Sequence, residues 1–338
     1  MVLAKHLIQG GFMNFLKFLE GLRTPFLNEL FLLITHLGEE LVFLVFAIVI
    51  FWCVSKREGY YILITGLVGT VCNQTLKLAC KVRRPWTHPG FSAVEGAVPE
   101  ATGYSFPSGH TQNAAGTFGC VARWSKRTFV RITFITLAVL VAFSRMYLGV
   151  HFPTDVFFSV LLASLLVFLL YPIFKSEESF HKYMPCVVSV SVLLAVGNLL
   201  YAVLTPEAGV DPANLASALK NGATLVGCTA GLIPVYILDR CVIKFETDAR
   251  WYAQIIKLAA GLAIVLLIKE GLSAPLEMLF GNEYVARAVR YFLIVMFAGA
   301  VWPLTFKWFS TLRIGFLERF TDLLHGLFNR IFKSKKAK

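Results

Sequence analysis

The sequence predicts an all-α fold, a polytopic integral-membrane helix bundle, and three observations carry that expectation. Of its 338 residues 57% are hydrophobic and 15% charged, against roughly 25% charged in an ordinary soluble domain. Apolar runs long enough to cross a bilayer recur along the chain instead of forming one anchor. The basic residues fall mostly in short connections between those runs. The net charge of +12 would suggest nucleic acid in a soluble protein, but in this arrangement it points to membrane orientation and to no nucleic-acid partner. The seven cysteines form no Cys-x-x-Cys pair and read as small buried hydrophobes.

Taken in order, residues 1–38 are expected to be interfacial helices, because Leu7 to Leu37 carries apolar residues at helical spacing broken by Gly10, Gly11 and Pro25. Residues 39–175 form the first membrane bundle, with spans at 39–54, 59–80, 110–124, 128–147 and 153–173. Asn73 and Gln74 in the second of these are expected to hydrogen-bond between helices. Residues 176–304 add a four-span helical region, at 185–204, 221–238, 252–269 and 285–304, which brings the expected total to about nine spans. In its outer part, Arg287 and Arg290 are expected to pair with Glu270 or Glu283, the alternative being that they receive a second anionic group, an inner phosphate or a lipid head group. Residues 305–338 repeat an amphipathic pattern and end in lysines, as a tail lying on an anionic leaflet would.

Orientation follows from the loops. Lys56 and Arg57, then Arg123, Lys126, Arg127 and Arg131, then Lys175 and Lys182, then Arg240, Lys244 and Arg250 share one side with the basic tail. That side is expected to be cytoplasmic, with the N-terminus outside and the C-terminus inside, most simply in the plasma membrane.

One outer loop breaks this charge pattern, since it opens with Lys77, Lys81, Arg83 and Arg84. Cations at that depth call for an anion. Lys77 and Arg84 stand two helical turns apart and would share a face if the helix ran on to Pro85. The same loop ends in Ser105-Phe106-Pro107-Ser108-Gly109-His110, which places Ser108 as an N-cap with Gly109 and His110 in the first turn beside free backbone N–H groups. A further outer loop carries Ser144-Arg145 and then His151 and Asp155, four apart, so that the carboxylate can hold one ring nitrogen and leave the other free to attack.

Lys77-x6-Arg84-Pro85, Pro107-Ser108-Gly109-His110 and Ser144-Arg145-x5-His151-x3-Asp155 resemble the three signature motifs of the type 2 phosphatidic acid phosphatase family, in order and with the family's internal spacing. The resemblance is strong over about residues 40–172, while the larger span count is similar to glucose-6-phosphatase and the sphingosine-phosphate phosphatases. It implies a phosphatase that needs no metal or other cofactor and works through a phosphohistidine. His151 would be the nucleophile, Asp155 its orienting carboxylate, and His110 the acid and then the base. Lys77, Arg84, Arg145, Ser108 and the Gly109 N–H would hold the phosphoryl oxygens. The expected substrate is a lipid phosphate or polyprenyl diphosphate met among membrane lipids. A sugar-phosphate phosphatase, or a non-catalytic membrane transporter or scaffold, is the alternative. His36, outside the motifs, reads as a surface histidine, and His88 as a possible substrate contact.

Overall fold

The computed structural model describes residues 2–319, with side chains from residue 11 onward. Among them the regular structure is helical: α1 (Val2–Gly21), α2 (Pro25–His36), α3 (Glu40–Cys53), α4 (Lys56–Cys80), α5 (Gly109–Trp124), α6 (Thr128–Tyr147), α7 (Pro153–Phe174), α8 (Glu177–Leu204), α9 (Pro212–Leu238), α10 (Trp251–Gly271), α11 (Ser273–Phe280), α12 (Glu283–Met296) and α13 (Phe306–Thr311). Helix starts are written in the local sequence. Thr24, Ser55, Ser108, Ser176, Asp211 and Asn282 each cap the helix that follows by accepting a backbone N–H. Proline opens α2, α7 and α9, where its missing N–H costs nothing.

The expectation of nine spans is not met. Seven helical segments among the described residues are long and apolar enough to cross a membrane, or eight if α2 and α3, bent by 48° at the 37–39 break, make one span. The span expected at 39–54 thus depends on pairing with α2, a helix expected to be interfacial. The span expected at 110–124 is α5, whose 16 residues reach about 24 Å, short of a hydrocarbon core of roughly 30 Å. Its polar sequence has a physical reason: α3, α4, α6 and α7 enclose it, so most of its side chains face protein. Of the amphipathic tail, residues 320–338 lie outside the described residues.

α4 runs through the centre, with Tyr61, Ile64 and Val71 packed among Phe43, Val167 and Phe174. α8 and α9 cover its other flank and α12 lies along α9. The last of these contacts is backbone-close, because a β-carbon on Gly227 would stand 2.1 Å from the Ala288 carbonyl oxygen. Polar ties join the later helices to the earlier ones: Asn198 Nδ2 donates to Thr75 Oγ1 (2.8 Å), Trp52 Nε1 to the Ala298 carbonyl (2.8 Å), and the buried Lys257 Nζ to the Trp52 carbonyl (2.8 Å).

Three expectations about individual side chains need correction. Asn73 is buried with neither amide atom bonded among the described residues, and the interhelical bond of this region comes from Asn198. Arg287 donates to Thr224 Oγ1 and Arg290 to the Lys269 carbonyl, while Glu283 pairs with Lys220 and Glu270 with Lys269. Cys120 and Cys228 are buried, but Cys80, Cys186 and Cys241 sit on the exterior of the bundle.

Because successive helices alternate in direction, the C-terminal ends of α4 and α6 and the N-terminal ends of α5 and α7 meet at one end of the bundle. Lys77, Arg145, His110 and Asp155 occupy those four ends. The 81–108 connection and the α1–α2 elbow lie over them. There Arg23 donates to the Tyr147 carbonyl (3.1 Å) and the Ser92 carbonyl (2.7 Å), and Glu20 accepts from Ser92.

Candidate active site

α4 does not run on to Pro85. It ends at Cys80, with Lys81 in the left-handed region (φ 50°), and the residue before a proline is disfavoured in a helix. Lys77 and Arg84 converge all the same, because one stretch of backbone holds both. Lys77 Nζ donates to the Tyr104 carbonyl (2.6 Å), and Arg84 donates through Nη2 to the Thr102 carbonyl (2.6 Å) and through Nε to the Gly103 carbonyl (3.1 Å). Both are buried, at 7% and 6% exposure. Two cations so nearly removed from water, each tied to neutral carbonyls, create a strong demand for an anion.

Arg145 supplies the third cation. It is fully buried; Nη1 donates to Thr35 Oγ1 (2.6 Å), whereas Nε and Nη2 have no partner among the described residues. Its own carbonyl accepts from the N–H groups of Val150 and His151, closing a turn in which Gly149 takes φ 77°. That turn delivers His151 into the site one residue before the α7 N-cap, so the pair four apart spans a helix entrance, not a helical turn.

The imidazole is oriented from both edges. Nδ1 lies 3.4 Å from Asp155 Oδ2, and Nε2 lies 3.0 Å from Arg84 Nη1. A guanidinium only donates, so Nε2 carries the lone pair and Nδ1 the proton. Burial first, then Arg84, Arg145 and Lys77, hold the His151 pKa well below its ordinary 6.5, so the ring is neutral at pH 7. Asp155 is fixed in turn: Oδ2 also accepts from Ser105 Oγ (2.5 Å) and from the Phe152 N–H (2.9 Å).

Ser108 caps α5 as expected, accepting from the Thr111 N–H, and is fully buried. Gly109 follows with no atom within 4 Å of where a β-carbon would stand, which leaves the first-turn N–H groups approachable. His110 Nε2 is buried and has no hydrogen-bond partner among the described residues, and it lies within electrostatic reach of Arg145, Arg84 and Lys77. All eight expected residues therefore gather at this end of the bundle. His88 packs against the Phe152 ring.

Sequence reasoning misses Ser105 and Thr35. Ser105 stands three residues before Ser108 at the start of the same motif segment, and Thr35 is a polar residue on an apolar helix, but their partners, Asp155 and Arg145, are 50 and 110 residues away. His36, Glu39 and Glu100 form the group among the described residues whose ligand atoms, all within 4.8 Å of one another, could hold a metal ion. Its members are exposed or half-buried, whereas the cations of the cradle are buried.

Buried cations around a neutral, oriented imidazole at the end of a membrane bundle are built to act on phosphate esters, and they place the protein in the class of integral-membrane phosphatases. Residues 57–178 match the PAP2 superfamily, and residues 221–313 match the PAP2 superfamily phosphatase transmembrane extension. Phosphatidylglycerophosphatase B of Bacillus subtilis is 33% identical over 161 residues, covering 44% of this chain and 75% of that protein. An undecaprenyl-diphosphatase of Sulfolobus acidocaldarius is 30% identical, over 42% of this chain and 68% of its own length. The crystal structure of a transmembrane PAP2-type phosphatidylglycerolphosphate phosphatase from Bacillus subtilis aligns at 31% identity and a TM-score of 0.42, covering 50% of this chain and 87% of that one. The chain belongs to the PAP2 superfamily.

Proposed function

We propose that this phosphatase removes a terminal phosphate from a lipid phosphate or polyprenyl diphosphate through a phosphohistidine on His151, without a metal. The observation that carries the reading is the fixed tautomer of His151, with Nδ1–H toward Asp155 and Nε2 toward Arg84 where the phosphoryl group would lie. Relatives named for phosphatidylglycerophosphate, undecaprenyl diphosphate and lipid A support a lipid substrate.

In the first step Nε2 attacks phosphorus, the bond to the leaving oxygen breaks, and His110, which takes up a proton once the phosphate's negative charge joins the surrounding cations, gives that oxygen its proton. In the second, neutral His110 takes a proton from water as the water oxygen displaces the histidine nitrogen, releasing phosphate. Asp155 stabilises the positive ring that exists between the two steps. Lys77, Arg84, Arg145, Ser108 and the Gly109 N–H neutralise the phosphoryl oxygens.

The reading includes an organisation and an orientation. Residues 39–175 are the catalytic bundle, 1–38 and 305–338 its interfacial ends, and 176–304 an appended helical region. The basic loops lie in the cytoplasm and the site on the outer face of the plasma membrane.

The test is phosphate release by the purified protein from phosphatidylglycerol phosphate, phosphatidate, undecaprenyl diphosphate and glucose 6-phosphate. Lipid substrates should be turned over, His151→Ala should be inactive, and quenched wild type should carry an acid-labile phosphate. Turnover by folded His151→Ala would overturn the assignment. A cysteine at the exposed Glu95 should react with an impermeant reagent outside intact cells; labelling only after permeabilisation would overturn the orientation.

A further inference from the structure

A groove of about 470 Å³ runs between α8 and α9, at the end of the bundle away from the active site. The end is fixed by α4: its first residue, Lys56, bonds Asp239 beside the groove, whereas Lys77 stands in its last turn. Pro185, inside α8, lines the groove and has no N–H to offer the His181 carbonyl four residues back. Tyr236 Oη of α9 donates to that carbonyl (3.4 Å), so the backbone at the groove is satisfied from the neighbouring helix.

The groove is ordered as an amphiphile is. Its walls are apolar, with Pro185 and Val188 from α8 and Ile233 and Ile237 from α9, and Arg240 stands at one end. Ile233 and Arg240 are seven residues apart, about 10 Å along a helix. Ile233 and Ile237 are 40% and 53% exposed, on a helix long and apolar enough to cross a membrane, so the groove opens toward hydrocarbon.

The charge at its end is uncompensated. Arg240 is exposed and has no acidic partner among the described residues. Asp239 is taken by Lys56 (2.9 Å) and the Phe245 N–H (3.2 Å), and Glu177 by Arg57 (3.0 Å). Arg240 Nη1 donates to Tyr236 Oη (3.5 Å), which ties the guanidinium to the groove wall and leaves the rest of its fork open to a phosphate.

We infer that the groove binds an anionic phospholipid that is not a substrate, with an acyl chain between α8 and α9 and its phosphate on Arg240. Hydrocarbon at the walls and an unpaired cation at the end match the two parts of such a lipid in order and in charge. A zwitterionic lipid brings its own ammonium to the same cation and gains less. The site lies at the far end of α4 from the cradle and does not depend on the reaction proposed above.

The test places the full-length protein in phosphatidylcholine nanodiscs doped with a phosphatidylglycerol that carries a diazirine on one acyl chain, and maps the photoadducts by peptide. Adducts should concentrate on residues 185–189 and 233–241, and unlabelled phosphatidylglycerol should compete while added phosphatidylcholine does not. In Arg240→Gln the yield on these peptides should fall about fivefold, the factor one basic side chain contributes beside an anionic surface. Ser189→Phe, which puts a ring into the groove from an exposed position, should lower it as well. Lys126→Gln, an exposed cation at the same end but outside the groove, is the control for general surface charge.

Adducts spread evenly over the membrane-facing helices, or equal competition by phosphatidylcholine, would overturn the site. So would a yield in folded Arg240→Gln within twofold of wild type, or an equal fall in Lys126→Gln. Thermal unfolding shows whether each variant is folded, and because Arg240 is exposed its variant keeps the test open should Ser189→Phe misfold.

Discussion

Asp155→Asn separates charge from geometry at the centre of the site. An asparagine can place its carbonyl oxygen where Oδ2 stands, keeping the bonds donated by Ser105 Oγ, the Phe152 N–H and His151 Nδ1. What it removes is the negative charge, which matters only once His151 becomes positive on phosphorylation. A full positive charge 3.4 Å from the carboxylate is worth about 5 kcal/mol at an effective dielectric of about 20. Converted to rate, that is a loss of a few thousandfold, of the order that the same substitution costs in the catalytic triad of a serine protease. The assay is kcat for phosphate release from a saturating lipid phosphate, with thermal unfolding followed in parallel. The variant should unfold within a few degrees of wild type and turn over about a thousandfold or more slowly. A folded Asp155→Asn enzyme within tenfold of the wild-type kcat would refute both the charge argument and the assignment of His151 as nucleophile.

Activity should survive EDTA and be inhibited by vanadate; loss on chelation that a divalent ion restores would contradict a metal-independent mechanism. Arg145→Lys should raise KM for the lipid phosphate by about tenfold or more, since a lysine cannot both reach Thr35 and present a second donor to the phosphate; an unchanged KM would show that the unbonded guanidinium nitrogens do not meet substrate. Thermal stability should fall as pH drops below about 6.5. His151 is held neutral in the folded protein and takes up a proton only on unfolding, so stability lost across that window returns as pH rises. His151→Asn should reduce the slope, and an identical slope would count against the depressed pKa. Gly227→Ala should destabilise by about 1–3 kcal/mol, because its β-carbon meets the Ala288 carbonyl and not a movable side chain. A wild-type melting temperature would mean that α9 and α12 can separate freely.

The sequence by itself determined what short-range chemistry writes down. Apolar runs located the helices of the first bundle to within a few residues, although α8 and α9 begin well before the expected 185 and 221, and fixed spacing marked Lys77, Arg84, Ser108, Gly109, His110, Arg145, His151 and Asp155. It overcounted spans because the apolar runs do not say what a helix packs against. α5 lies inside the protein, where polar side chains such as Gln112 and Asn113 are tolerated. Only the tertiary structure decided how separate motifs meet. The 102–104 carbonyls bring Lys77 and Arg84 together after the helix between them ends, and the turn closed on the Arg145 carbonyl carries His151 to Asp155 and Ser105. The group of His36, Glu39 and Glu100 was invisible in the sequence for the same reason: His36 read as a surface histidine, and neither Glu39 nor Glu100 carried an assignment. They become one surface beside His110 because the α2–α3 break folds onto the start of α5, a contact between residues more than 60 positions apart that no local pattern encodes.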